Sequence, residues 1–330
     1  MKHSIQPFLS EILDYAGLYP PSSLSLKDAF DKYIQHTQSD YSWMLSKFVT
    51  GTNNLKDIQE LLLTHDQAPQ PFLITAVAAP SESLESFKKV IDSTKATILE
   101  VVQGSTKEIK VPSLEIKLPE ILFKNSDSQS ILEAIKYVVD SMNTSDQLPH
   151  HMFFEISGFT FDPNYSILLV NALHQHSKNR DDSTQLSNSI SGYKIRCGGV
   201  ESFQFPPTDY LAKAISAAAK SKVPLKFTAG LHHALRHYND SVSTRMHGFL
   251  NVFGATLLAH NTDLETADIQ TMLEDENADH FSFTDKHFSW MDNSISLEEI
   301  NILRSLYVTS FGSCSFEEPI EDLQELNLLT

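Results

Sequence analysis

The chain has 330 residues, of which 41% are hydrophobic and 20% charged, values that are typical of a folded globular protein and exclude extensive disorder. Its formal net charge of −17 would repel a phosphate backbone, so nucleic acid is not an expected partner. The N-terminal segment lacks the apolar core of a signal peptide, no stretch is long enough to span a membrane, and only two cysteines occur. Together these features predict a cytoplasmic protein without membrane contact.

Strand-like apolar runs, bounded by polar or turn residues, recur eight times along the chain. A run at Ile98–Val102 competes with the fourth strand, but the alternation from Lys110 onward is cleaner and favours the later position. The predicted strands are Ile12–Leu18, Met44–Val49, Phe72–Ala78, Pro112–Leu118, Met152–Ser157, Tyr193–Cys197, Leu225–Ala229 and His280–Thr284.

Segments with helical periodicity lie between these strands. The predicted helices are Ser25–Gln35, Leu55–Leu63, Ser81–Ser93, Ser128–Met142, Tyr165–His176, Thr208–Ser221, Met246–His260 and Leu297–Leu306. Strand followed by helix, repeated eight times, predicts a (β/α)8 TIM-type barrel. An open doubly wound sheet is the alternative, since it shares most of these local signals.

The predicted organisation is a single domain over residues 1–330 with short extra helices. At least one of these helices is expected in the long span from Leu231 to Asp279. The polar segment Asn179–Ser191 is expected to be a mobile loop, and residues 310–330 a C-terminal docking tail. The segment Gly312–Phe316 is interpreted as a close-packed turn that seals one end of the barrel.

Polar residues interrupt four consecutive strands in the same phase, although strands of a parallel barrel usually consist almost entirely of apolar residues. Their alternating neighbours are apolar and suit the helix-facing side, so the side-chain period of two places the polar residues inside the barrel. The interrupting residues are Glu115, Lys117, Glu155, Ser157, Lys194, Arg196, Lys226 and Thr228.

Charges inside a barrel are costly unless they are paired, so this set requires mutual ion pairs or a ligand. Two carboxylates, Glu115 and Glu155, face four cations, and a surplus of positive charge in an acidic protein favours a small anionic metabolite. A layer of ion pairs that satisfy one another is the alternative. Asp14 and Lys47 have similar potential, but a structural role is the preferred interpretation for each.

The segments after the sixth and seventh strands add further candidates. Gly198 and Gly199 could offer backbone N–H groups to an oxyanion, although a tight turn explains them equally well. Gly230 allows the chain to turn before His232 and His233, which are adjacent, so only one of the two is expected to line the site. With Glu155 or Glu115, one of them could bind a divalent metal or act as an acid or base. The cofactor and the metal are left open.

Five blocks of the sequence are distinctive and are spread along nearly the whole chain. They are DYAGLYPP from Asp14, YKIRCGGVESFQFPP from Tyr193, PLKFTAGLHHALRH from Pro224, MHGFLNVF from Met246 and SFGSCSFEEPIEDL from Ser310. These blocks resemble those shared by a family of bacterial proteins. The resemblance implies kinship and carries no assigned activity. Where that family has Thr in the block K-[IL]-R-T-G-G, this chain has Cys197.

Three functions are compatible with these residues. The first is a lyase, aldolase or isomerase acting on a small carboxylate or phosphate ester, with Lys226, Glu155 and Glu115 as catalytic groups and Lys194, Arg196, Lys117, Gly198, Gly199 and Thr228 as binding groups. The second is a metal-dependent hydrolase or lyase using His232, His233 and a carboxylate. The third is a barrel that binds a ligand without chemistry. A homo-oligomer is compatible with all three.

Overall fold

The computed structural model describes residues 4–126, 128–178 and 189–329, so residues 179–188 of the predicted mobile loop lie outside it. Its strands are β1 (Leu13–Tyr15), β2 (Leu45–Gly51), β3 (Phe72–Val77), β4 (Ile109–Leu118), β5 (His151–Ile156), β6 (Ile190–Arg196), β7 (Leu225–Thr228), β8 (His237–Asn239), β9 (Thr244–Met246), β10 (Phe281–Phe283), β11 (His287–Trp290), β12 (Asn293–Ser296) and β13 (Val308–Ser313).

Helices alternate with the long strands. They are α1 (Ile5–Leu9), α2 (Leu26–Thr37), α3 (Leu55–Leu63), α4 (Leu84–Gly104), α5 (Ile121–Lys124), α6 (Ser128–Met142), α7 (Pro163–Lys178), α8 (Thr208–Ser221), α9 (Phe249–Asn261), α10 (Thr266–Glu274), α11 (Leu297–Leu306) and α12 (Glu317–Glu325). The eight predicted helices correspond to α2, α3, α4, α6, α7, α8, α9 and α11, and each begins within a few residues of its predicted start. None of the helices in the described ranges is long and apolar enough to span a membrane.

Strands β1 to β7 and β13 form a closed barrel in which every neighbouring pair is parallel. This confirms the predicted (β/α)8 barrel and excludes the open sheet. The competing strand at Ile98–Val102 is wrong, because those residues belong to α4. The extra helix expected between residues 231 and 279 is α10.

The prediction of the eighth strand at His280–Thr284 is wrong. Phe281–Phe283 forms β10, which pairs antiparallel with β11 in a separate three-stranded sheet. That sheet packs on α1, where the Phe8 ring lies 5.2 Å from the ring of Phe283. The eighth barrel strand is β13, so residues 310–313 belong to the barrel instead of a docking tail or a sealing turn.

The outer face of the strands packs on the helices as the alternation predicts. Leu114 and Phe154 are 0% exposed, and Ile195 is 1% exposed. Burying such side chains stabilises the fold by about 1.5–3 kcal/mol each. Because the apolar residues occupy this face, the polar residues between them point to the interior of the barrel.

Candidate functional site

The polar residues of β4 to β7 meet inside the barrel, as predicted. Lys194 of β6 lies 2.7 Å from Glu115 of β4 and 2.8 Å from Glu155 of β5. These three side chains and Lys226 are all buried, with between 1% and 6% exposure. Ser157, at the end of this set, instead donates a hydrogen bond to the backbone carbonyl of Leu118.

Asp14 of β1 is a third interior carboxylate, which the sequence interpretation had treated as structural. It is 0% exposed and accepts hydrogen bonds from the Lys226 ammonium, from the Thr75 hydroxyl and from the backbone N–H of Lys47. Lys226 also donates to the hydroxyl of Ser310 at 2.8 Å. Asp14 is flanked by the apolar residues Leu13 and Tyr15, the same pattern that identified the other strands.

These groups form a continuous chain of alternating charge that runs from β2 to the ends of β4 and β6. It begins and ends with cations, so five cations share three carboxylates. The contacts are Lys47–Asp14 at 3.8 Å, Asp14–Lys226, Lys226–Glu115 at 3.5 Å, Glu115–Lys194 at 2.7 Å, Lys194–Glu155 at 2.8 Å, and finally Glu155–Arg196 at 3.5 Å and Glu155–Lys117 at 3.9 Å.

The surplus of positive charge is concentrated at the last carboxylate of this chain. Burial alone would raise the pKa of Glu155, but Lys194, Lys117 and Arg196 together lower it to about 2. Burial would lower the pKa of Lys194, but Glu115 and Glu155 raise it above its ordinary value. Glu155 also raises the pKa of Lys117, yet burial, Arg196 and Lys194 outweigh it, and the net shift is downward.

A cavity of about 290 Å³ opens at the carboxyl ends of the strands, where barrel enzymes place their active sites. Lys117, Arg196, Thr228 and Glu115 line it, whereas Lys226 lies beneath its lining residues. We call Lys117 and Arg196 the cationic pair, since their side chains are 37% and 25% exposed and reach the cavity. At the ends of β1 to β3 the lining residues are the apolar Ala16, Val49 and Val77, which we call the apolar arc.

The glycine pair after β6 serves close packing. A Cβ atom on Gly198 would lie 2.8 Å from the Cα of Gly230, and one on Gly199 would lie 1.9 Å from Oε1 of Gln204. Gly199 lines the cavity, and the carbonyl of Gly198 accepts a hydrogen bond from Arg196. Across residues 4–126, 128–178 and 189–329, the N–H groups of these two glycines have no acceptor. Their binding of an oxyanion stays a prediction.

His232 and His233 diverge, and only His232 lines the cavity. Ala229 and Gly230, with φ of 58° and 70°, turn the chain after β7. The His232 ring then lies 2.8 Å from Glu318, and the His233 ring 3.1 Å from Asp322, both on α12. Within the described part of the chain, no three His, Cys, Asp or Glu side chains converge to hold a metal ion, so the predicted histidine metal site is not supported.

Comparisons with known proteins do not assign a family to this chain. No protein-family model matches the chain, and no curated protein matches it. A solved structure described as "QR15, an Aldolase" is similar, with 11% sequence identity and a TM-score of 0.44, over 68% of this chain and 83% of that chain. An identity this low carries no information on activity, and the resemblance to the bacterial family stays a prediction.

Proposed function

We propose that this chain is an enzyme of the lyase or aldolase kind, acting on a small carbonyl compound that carries a carboxylate or a phosphate. The observation that supports it best is the end of the ion-pair chain. There, Arg196 and Lys117 share the single carboxylate of Glu155 at the wall of the cavity. An anion bound there would complete the alternation of charge.

Arg196 is the group that would hold the anionic head of the substrate. Its guanidinium lies 5.4 Å from the ring of Phe159, and Nη1 donates to the carbonyl of Gly198 at 3.2 Å. These contacts fix the plane of the guanidinium before a ligand arrives. A fixed guanidinium suits the two oxygens of a carboxylate or phosphate, because it can donate two parallel hydrogen bonds.

Lys117 is the candidate nucleophile, a role that the sequence had suggested for Lys226. An imine-forming amine has to be accessible and partly neutral at working pH. Lys117 reaches the cavity and has a lowered pKa, with burial and two neighbouring cations opposing its charge. Lys226 is 1% exposed and enclosed by Asp14, Glu115 and Ser310, so a substrate would have to displace an ion pair to reach it.

The covalent step would begin with the neutral amine of Lys117. Its nitrogen lone pair would attack the carbonyl carbon, the carbonyl oxygen would take up protons and leave as water, and the resulting iminium would accept electrons from an adjacent C–C or C–H bond. Tyr19 lines the same cavity, and burial and Glu115 raise its pKa to about 12. Its hydroxyl therefore stays protonated at neutral pH and could donate to the departing oxygen.

Borohydride reduction tests this assignment, because it converts an imine into a stable secondary amine. We expect incubation with 2-oxo acids such as pyruvate, followed by borohydride and peptide mass spectrometry, to give an adduct on Lys117. The Lys117→Met protein should lose it. Lys110→Met is the matched control, because Lys110 lies on the same strand but is 57% exposed at its opposite end. An adduct on another lysine, or none with any 2-oxo acid, would contradict the imine step.

A barrel that binds an anion without chemistry is the second candidate. It is favoured by Lys194 and Lys226, because each of these buried lysines is held between two carboxylates. Phosphate or acetate should then bind and lose affinity by about 10- to 100-fold in Arg196→Met, the range for a hydrogen bond to a charged group. Binding of this kind, without an adduct from any carbonyl compound, would favour the second candidate over the first.

A further inference from the structure

The uppermost inward-facing positions of the barrel differ sharply between its two sides. On the side of β1 to β3 they are the apolar arc, Ala16, Val49 and Val77, whereas β4 and β6 contribute the cationic pair. Because inward positions recur every second residue, the next ones below the arc are Asp14, Lys47 and Thr75. The interior of β1 to β3 therefore changes from polar to apolar at the level where the cavity begins.

This change is informative because the arc faces open space and does not fill the barrel. Val49 and Ala16 are 4% and 8% exposed, and both border the cavity. A sugar or a dicarboxylate would present hydroxyls or a second charge to this wall. The arc offers them no hydrogen-bond partner, and a polar group buried without one costs about 1–3 kcal/mol.

We propose that the substrate is an amphipathic anion, with its carboxylate or phosphate against the cationic pair and a small alkyl or aryl group against the apolar arc. This inference rests on the proposed function, since it assumes that Arg196 holds the anionic head. It adds that sugar phosphates and dicarboxylates are not the substrate class. The cavity of about 290 Å³ restricts the apolar group to a small one, because ligand pockets commonly range from ~300 to 1,000 Å³.

Calorimetric titration of the full chain with two matched series of anions tests the proposal. The first series is acetate, butanoate and 3-methylbutanoate, with succinate as its polar member. The second is methyl phosphate and butyl phosphate, with glycerol 3-phosphate as its polar member. We expect affinity to rise about fourfold for each added methylene, the effect of burying that group, and the polar members to bind no better than acetate or methyl phosphate. The series that binds more tightly identifies the head group.

Two substitutions probe the arc itself. Val77→Thr and Val49→Thr keep the shape of the side chain and add one hydroxyl. Each should reduce the gain in affinity per added methylene. The affinity for acetate or methyl phosphate, which carry no longer alkyl group, should stay within about twofold of that of the native chain. Val200→Thr is the matched control, because Val200 also borders the cavity but is 43% exposed at its rim. Circular dichroism checks the fold, and either arc variant alone suffices if the other does not fold.

The outcomes separate this inference from the proposed function. If anions bind through Arg196 but alkyl groups add no affinity, or if succinate or glycerol 3-phosphate binds best, the amphipathic substrate is wrong and the anion site stands. If the alkyl gain persists unchanged in both arc variants, the apolar group lies elsewhere and the inference is also wrong. If no member of either series binds, the proposed function is wrong and this inference with it.

Discussion

The interior of the barrel has two charged layers that differ in how their charges are paired, one formed mainly on β1 and β7 and the other on β4 and β6. In the lower layer, Asp14 and Lys226 are 0% and 1% exposed, and each has several polar partners. In the upper layer, the cationic pair shares Glu155 and borders open space. The charges of the first layer are enclosed by protein groups, whereas those of the second border a cavity.

The difference bears on how a barrel can hold charged side chains next to an open cavity. A buried ion pair is a modest gain at best, but removing one partner leaves an uncompensated charge. Lys226 of the lower layer pairs with Glu115, which in turn pairs with Lys194, and both Glu115 and Lys194 line the cavity. The upper layer can then carry a surplus of positive charge, because part of it is exposed to water.

The largest expected effect concerns the lower layer. Asp14→Asn removes the carboxylate beside Lys226 and should lower the free energy of unfolding by about 3–5 kcal/mol, the typical cost of breaking a buried ion pair. Urea denaturation at pH 7 measures it. The same substitution in the exposed pair of Lys213 and Asp209, Asp209→Asn, should cost about 0.5 kcal/mol or less.

A double substitution sharpens this result. Asp14→Leu with Lys226→Met removes both charges, so it should recover most of the stability lost in Asp14→Asn. If Asp14→Asn is as mild as Asp209→Asn, the lower layer is not a closed ion-pair layer, and the contrast between the two layers does not hold.

The second effect is the pH dependence of stability below neutrality, and it tests Glu155, the carboxylate that pairs with the cationic pair. The pKa of Glu155 is lowered from 4.5 to about 2 in the folded protein. Its contribution is therefore fully present above pH 4.5 and is lost as the pH falls from there to about 2. The contribution is about 3 kcal/mol.

Urea denaturation of Glu155→Gln across that range provides the measurement. The variant should have a lower free energy of unfolding than the native chain at pH 7. This gap between the two free energies should close as the pH falls from 4.5 to about 2. Glu133→Gln is the control, since Glu133 is 51% exposed on α6, and it should show no such gap. A gap that persists unchanged below pH 2 would mean that the loss comes from packing and not from the charge of Glu155.

Much of the fold and of the charged site could be predicted because both rest on short-range periodicity. Glu115, Glu155, Lys194 and Lys226 each lie between apolar neighbours, and this alternation alone determined which way they point. Asp14 follows the same rule, but its strand is only three residues long, so the pattern was too short to stand out.

The remaining features depend on contacts between distant parts of the chain. Strand β13 was missed because its inward positions, Ser310 and Gly312, are small and resemble a turn. They are small because Lys226 lies against Ser310 and the cavity borders Gly312. Similarly, nothing local showed that Lys117 reaches the cavity while Lys226 lies beneath it. The sequence interpretation therefore assigned the imine-forming role to Lys226, whereas the proposed function assigns it to Lys117.

The smallest expected effect concerns the partly exposed ion pair between His233 and Asp322, next to the residue His232 that lines the cavity. The ring of His233 donates a hydrogen bond to the Asp322 carboxylate, and this bond is the main cause that raises the pKa of His233, against the effect of burial. The stability from this pair is present below pH 6.5 and is lost as the pH rises through the folded pKa. Asp322→Asn should lower the His233 pKa in an NMR titration and cost less than about 1 kcal/mol. Glu325→Gln, the control, removes only a weaker attraction and should shift it less. Equal shifts in the two variants would show that the pKa of His233 is raised by the general negative charge of α12 and not by this hydrogen bond.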